Sequence, residues 1–228
     1  MDNYCIGIID EDQGEVLDIK RTIHANKPAH IAEELIQFVD YPLPTRVTTL
    51  SDEVSKAVIR DIVGGSIHAL IVDYRIIVES TCIEGTEIFK QISSLVSKFP
   101  TIILTNVPDA CYDKPFVDAD KVYGKHDFFK IEESYSQEKT LNIFRNIDNY
   151  KKQRALLSVS LAEQLLKLES QGYVPETYQK IIELENALDD YLPQEQTIVE
   201  KELNLSDLKG AVELIAEANQ LLGDRDEN

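Results

Sequence analysis

The chain has 228 residues, 43% hydrophobic and 28% charged, with 41 acidic against 23 basic side chains and a net charge of −18. That length suits one domain of about 130 residues plus a smaller appendage, and the composition is that of a globular protein rather than a fibrous or disordered one. The acid excess disfavours nucleic acid and anionic membranes as partners, since binding either releases counterions to basic side chains.

Along the chain, Tyr4-Cys5-Ile6-Gly7-Ile8-Ile9 has the length of a buried strand, and Val16, Ile19 and Ile23 then follow at helical spacing. The stretch 25–45 is long for a connection and holds Ile31, Leu35, Ile36 and Val39, which suggests an inserted or extended helix. Val47-Thr48-Thr49-Leu50 is a weaker strand candidate, and Ser51-Asp52-Glu53 starts a helix that Gly64-Gly65 stops. Ala69-Leu70-Ile71-Val72 is the most apolar strand. The helix Gly85–Lys98 carries Ile88, Phe89, Ile92, Leu95 and Val96 on one face, and strands at Thr101–Leu104 and Lys121–Lys125 complete the series. Alternating strands and helices with continuously apolar central strands argue for an α/β protein with a parallel sheet covered on both faces.

From Ser134 onward the pattern becomes wholly helical. Leu141, Phe144, Ile147, Leu156, Leu157, Leu161, Leu165 and Leu168 suit one long helix or two end to end, and Gln171-Gly172-Tyr173-Val174-Pro175 is a turn. Tyr178, Ile181, Ile182, Leu184 and Leu188 suit a second helix ended by Pro193, and Leu205-Ser206-Asp207 begins a third. The expected division is 1–133 for the α/β domain and 134–228 for a helical bundle or dimerisation hairpin. No apolar run approaches the ~20 residues that cross a bilayer, and Met1-Asp2-Asn3-Tyr4 does not read as a signal peptide, so a cytoplasmic location without a membrane partner is expected. Cys5, Cys82 and Cys111 are odd in number and lack ligand spacing, which argues against disulfides or zinc.

Four strand ends finish on polar residues: Asp10-Glu11, Asp73, Thr105 and Lys125. In a parallel sheet these ends share one crevice. Paired acids suit Mg²⁺, which wants oxygen ligands and binds through one or two carboxylates plus phosphate oxygens. Asp10-Glu11-Asp12 could equally cap the next helix. Asp73, leaving the most apolar strand, tips the balance, because a carboxylate there can act as nucleophile toward a phosphoryl donor. Thr105 then offers a hydroxyl and Lys125 a cation to phosphoryl oxygens.

The pattern Ile8-Ile9-Asp10-Glu11, Leu70-Ile71-Val72-Asp73, Gly85 before an apolar-faced helix, Ile103-Leu104-Thr105 and Gly124-Lys125 resembles the receiver domain of bacterial two-component response regulators. The resemblance covers about residues 1–150. It implies a flavodoxin-like five-stranded parallel sheet of order 2-1-3-4-5. It also implies phosphoryl transfer from a partner histidine kinase or phosphotransfer protein onto Asp73. Asp10, Glu11 and Asp73 would hold Mg²⁺ with the backbone carbonyl of Arg75, and Thr105 and Lys125 would contact the phosphoryl group. No enzymatic role is implied beyond self-phosphorylation from small donors and self-dephosphorylation. Three departures stand out: Val122 where an aromatic is usual, His126 where a proline is common, and a long connection from Asp73 to Gly85. Arg75 lies where side chains tune phosphate lifetime, and slow self-dephosphorylation is expected.

Output is expected through contact of the helical tail with a downstream effector protein, with homodimerisation as a further option. A phosphate sink or relay intermediate, including one in an antiviral two-component system, is the alternative. A DNA-binding regulator is disfavoured: residues 165–188 could pass for helix-turn-helix, yet Glu176, Glu183 and Glu185 crowd its second helix.

Overall fold

A computed structural model describes residues 3–43, 50–78, 81–171 and 174–191. The described residues all fall within one compact unit, Met1–Leu192. The proposed third helix after Leu205 lies outside the described residues.

Five parallel strands form the central sheet: β1 (Tyr4–Ile9), β2 (Ile36–Asp40), β3 (Ala69–Asp73), β6 (Thr101–Thr105) and β7 (Val122–Gly124), in spatial order β2-β1-β3-β6-β7. Leaving aside the hairpin described below, this is the flavodoxin-like order 2-1-3-4-5. The central strands are buried on both faces, and alternation divides them between two cores. Tyr4, Ile6 and Ile8 meet Val16, Ile19 and Ile23 of α1 (Gln13–Asn26) and Ile143, Phe144 and Ile147 of α6 (Ser134–Gln171). Cys5 and Ile9 meet Val54, Val58 and Ile62 of α2 (Leu50–Val63) and Ile88 and Ile92 of α3 (Gly85–Leu95). Each fully buried aliphatic side chain contributes about 1.5–3 kcal/mol, so these two layers hold the sheet.

Register then sets the crevice. Ile9 pairs with Val72, Asp73 with Leu104, and Thr105 with Gly124. Asp10, Asp73, Thr105 and Lys125 therefore leave four adjacent strands at one edge.

Two connections differ from the sequence expectation, and a strand candidate between them lies mostly outside the described residues. The stretch 25–45 forms a 3-10 turn at Glu33–Leu35 and then β2, rather than an inserted helix. Ile31, Leu35, Ile36 and Val39 satisfy a helical spacing, but Ile36, Phe38 and Asp40 lie along a strand paired in parallel with β1, and pairing decides. Of the weaker candidate Val47–Leu50, residues 47–49 lie outside the described residues and Leu50 opens α2. The long connection after Asp73 is not a loop but a hairpin, β4 (Arg75–Val78) against β5 (Thr81–Glu84). Its β-branched Ile76, Ile77 and Val78 favour extended backbone, and Ile76 is buried against the α2–α3 core.

Gly85 closes that hairpin. Its N–H donates to the Tyr74 carbonyl at 2.7 Å, and a Cβ there would lie 1.9 Å from the Asp73 carbonyl oxygen. Only glycine admits so close a backbone approach. At the end of α2, Gly65 takes φ +68°, the left-handed conformation that ends helices.

α4 (Pro108–Tyr112) is short, and Lys125 begins α5 (Lys125–Phe128). The tail is one 38-residue helix, α6, about 57 Å long at 1.5 Å per residue. Its Asp148 accepts a hydrogen bond from Tyr4 Oη at 2.9 Å. α7 (Pro175–Asp189) turns back along it, burying Ile181, Leu184 and Leu188. Tyr191, just past α7, stacks on Tyr150 with ring centroids 5.7 Å apart, which makes the pair an antiparallel hairpin. The helices of a helix-turn-helix cross at 90–120° instead.

Candidate functional site

Asp10 stands one residue beyond β1, and its Oδ1 accepts the Asp12 N–H at 2.9 Å. Capping of α1 falls to Asp12, whose Oδ1 accepts from Gly14 at 2.7 Å and Glu15 at 3.3 Å. Of the three consecutive acids, one is therefore a cap and two are free for the crevice. Asp73, the last residue of β3, takes the Arg75 N–H on Oδ2 at 3.1 Å.

Lys125 joins these groups. Its Nζ lies 2.7 Å from Asp73 Oδ1 and 3.1 Å from Asp10 Oδ2, and it also pairs with Glu15 Oε2. The Lys125 side chain is 4% exposed and that of Asp10 1%, so this is a buried ion cluster and not a surface one. Burial alone would depress the lysine pKa, but hydrogen bonds to Asp73 and Glu15 outweigh it and raise the value well above the ordinary one. Burial pushes Asp10 up to about 6 against the opposing Asp12 N–H and Lys125, with Asp73 adding to the rise. Asp73 is likewise raised by burial, opposed by Lys125 and assisted by Glu11 and Glu15.

Asp10, Glu11 and Asp73 each bring a carboxylate oxygen within 4.8 Å of the others. Among the described residues, Glu11 Oε2 is buried without a hydrogen-bond partner. A buried carboxylate oxygen beside two raised carboxyls offers a donor set suited to a cation. Hard oxygen donors in this number fit Mg²⁺, and the triad forms an Mg²⁺-type binding site.

The crevice, about 220 Å³, is lined by Glu11, Asp12, Glu15, Asp73, Arg75, Thr105, Asn106, Val107 and Lys125. All the polar strand-end residues singled out in the sequence meet here: Thr105 and Lys125 line the crevice with Glu11 and Asp73, and Asp10 is tied to it through Lys125. Thr105 is buried, and its hydroxyl oxygen accepts the Val107 N–H at 3.0 Å. Arg75 lies exposed at the rim, its guanidinium 5.9 Å from the Tyr74 ring.

Glu15 escaped the sequence reading. Its position five residues past Asp10, on the first turn of α1 and facing the sheet edge, was the available signal. A second surprise is the aromatic on the α3 side. Val122 is buried beside Tyr74, Phe89, Ile103 and Cys111, so Tyr74 supplies the ring there, while Tyr123 turns to the opposite face against Phe128. The Tyr74 hydroxyl donates to Glu84 Oε1 at 3.3 Å, and Lys114 pairs with Glu84 Oε2 at 2.6 Å.

His68, Cys5 and Cys111 keep structural places, while Cys82 is exposed. His68 Nδ1 accepts the Cys5 N–H at 3.0 Å, and Cys5 and Cys111 are buried thiols, raised by burial, in the latter case to about 11. No described helix is long and apolar enough to cross a membrane.

No protein-family model matches the chain, and no curated protein matches it. The assignment therefore stands on topology and triad. Together they are typical of receiver domains. The site is of the phosphoacceptor type, with an acid cluster for Mg²⁺ at the carboxyl edge of a flavodoxin-like sheet.

Proposed function

We propose that this receiver belongs to a response regulator in which Asp73 accepts a phosphoryl group from the phosphohistidine of a kinase or phosphotransfer protein. The Asp73 carboxylate would form the new O–P bond as the N–P bond breaks and imidazole leaves. Asp10, Glu11, Asp73 and the Arg75 carbonyl would hold Mg²⁺, which supplies positive charge to the phosphoryl oxygens. The Thr105 hydroxyl would donate to one phosphoryl oxygen and the Lys125 ammonium to another. The observation that carries this is the Asp73 carboxylate, buried yet opening on the crevice, between the Lys125 ammonium and the Arg75 N–H. Transfer from a kinase inside the cell makes the protein cytoplasmic in this reading.

Output would run through the helical hairpin to an effector protein. The hairpin favours this over DNA binding, because α7 lies antiparallel to α6 and exposes Glu176, Glu183 and Glu185. Incubation with a small acyl phosphate and Mg²⁺ should add one phosphoryl group to the wild-type protein and none to Asp73→Asn, read by intact mass. Equal labelling of both, or labelling of neither, would overturn the assignment.

A further inference from the structure

An ammonium has three N–H donors, and three carboxylates surround the one on Lys125. Asp10 and Asp73 also belong to the metal triad, whereas Glu15 does not. Glu15 stands on the first turn of α1 with its side chain 31% exposed, and its one carboxylate raises the pKa of Asp73. Three carboxylates, Asp10, Glu15 and Asp73, thus share one buried ammonium, and Glu11 lies beside two of them.

We infer that Glu15 is a positioning residue for Lys125 that holds the ammonium on the α1 side of the crevice, favouring a cation and opposing an incoming phosphoryl anion. The inference rests on Asp73 being the phosphoacceptor. Phosphorylation replaces the single charge of Asp73 with a dianionic group, and Lys125 must then exchange its bond to Asp73 for one to a phosphoryl oxygen. Asp10 is shared with the metal site, and Asp73 is esterified. Glu15 is the carboxylate of the three left to compete for the lysine. It also adds like charge a few ångströms from the arriving anion, where at intermediate dielectric such a pair is worth enough to change an affinity about tenfold.

A purely structural role would give a different signature. A first-turn glutamate also favours the helix dipole, and losing that term would weaken every ligand alike. The positioning role predicts opposite signs for a cation and an anion.

The experiment compares the full chain with Glu15→Gln and Glu15→Asp. Titration calorimetry measures Mg²⁺ alone, and ¹⁹F NMR measures trifluoroberyllate, a phosphoryl mimic, at saturating Mg²⁺. Glu15→Gln should bind Mg²⁺ several-fold more weakly and trifluoroberyllate about tenfold more tightly. Glu15→Asp keeps the charge and should return both toward wild type. If Glu15→Gln weakens both ligands, or leaves trifluoroberyllate unchanged, the inference is wrong while the acceptor site stands. If wild type binds no more trifluoroberyllate than Asp73→Asn, the acceptor assignment itself fails and the inference falls with it.

Discussion

The two ends of strand β6 present opposite solutions to burial. At its carboxyl end, Thr105 faces a crevice where Asp10, Glu15 and Asp73 share one lysine and Glu11 Oε2 has no donor among the described residues. Just before its amino end, Phe99 meets Tyr150 edge-on at 5.4 Å, and Tyr150 stacks on Tyr191. There two hydrogen bonds run to backbone carbonyls, Lys98 N–H to Asp190 at 2.9 Å and Tyr150 Oη to Tyr191 at 2.5 Å, and a third runs from Ser97 Oγ to the exposed Asp190 carboxylate at 2.7 Å. One end keeps unneutralised charge that a ligand can satisfy. The other fastens the helical hairpin to the sheet by rings and hydrogen bonds. Five residues of buried strand separate them.

The sharpest way to break this contrast is to remove the buried cation at the charged end, Lys125. Lys125→Met in metal-free protein leaves Asp10 and Asp73 buried without a counter-charge and should cost about 3–5 kcal/mol in urea unfolding. Added Mg²⁺ should recover part of that loss. A cost below about 1 kcal/mol would mean that the crevice is not held electrostatically at all. At the aromatic end, Tyr150→Phe keeps both ring contacts and removes the hydroxyl's bonds to the Tyr191 carbonyl and to Arg154. It should cost about 1 kcal/mol and speed amide exchange in α7 while trifluoroberyllate affinity at Asp73 stays the same. A changed affinity would instead show the two ends coupled through β6 in the resting protein.

The sequence made the crevice legible because its chemistry lies at strand ends, and continuous apolar runs such as Ala69–Val72 mark strands plainly. β2 was missed because an edge strand is only partly buried and its Ile31, Leu35, Ile36 and Val39 also satisfy a helical spacing. The β4–β5 hairpin was missed because each strand has only four residues, too few to show an alternation. Glu15 and Tyr74 could not be ranked without coordinates. Many first-turn acids serve the helix dipole, and nothing linear says that Tyr74 fills the space beside Val122. Charge partners across the sheet, like that between residues 15 and 125, come from register, which periodicity alone does not give.

A third site tests whether burial, rather than nearness to the crevice, separates the two ends. Glu84 closes the hairpin beside Asp73, yet its side chain is 39% exposed where it meets Lys114. The Lys114 hydrogen bond holds the Glu84 carboxyl below its usual range, against a smaller push upward from burial. A depressed carboxyl contributes stability that is present above its unfolded-state pKa and is lost as pH falls through the lower folded value. Wild type should therefore lose stability relative to Lys114→Ala on acidification from about pH 6 to about pH 3, and 1 M salt should shrink the difference. This is the smallest effect expected of the three, because solvent screens the pair. If the difference is instead independent of pH and persists in salt, Lys114 acts by packing its stem over Glu84 and Tyr74. The charged character of the crevice would then end at its buried ring of acids and not extend to the hairpin that flanks it.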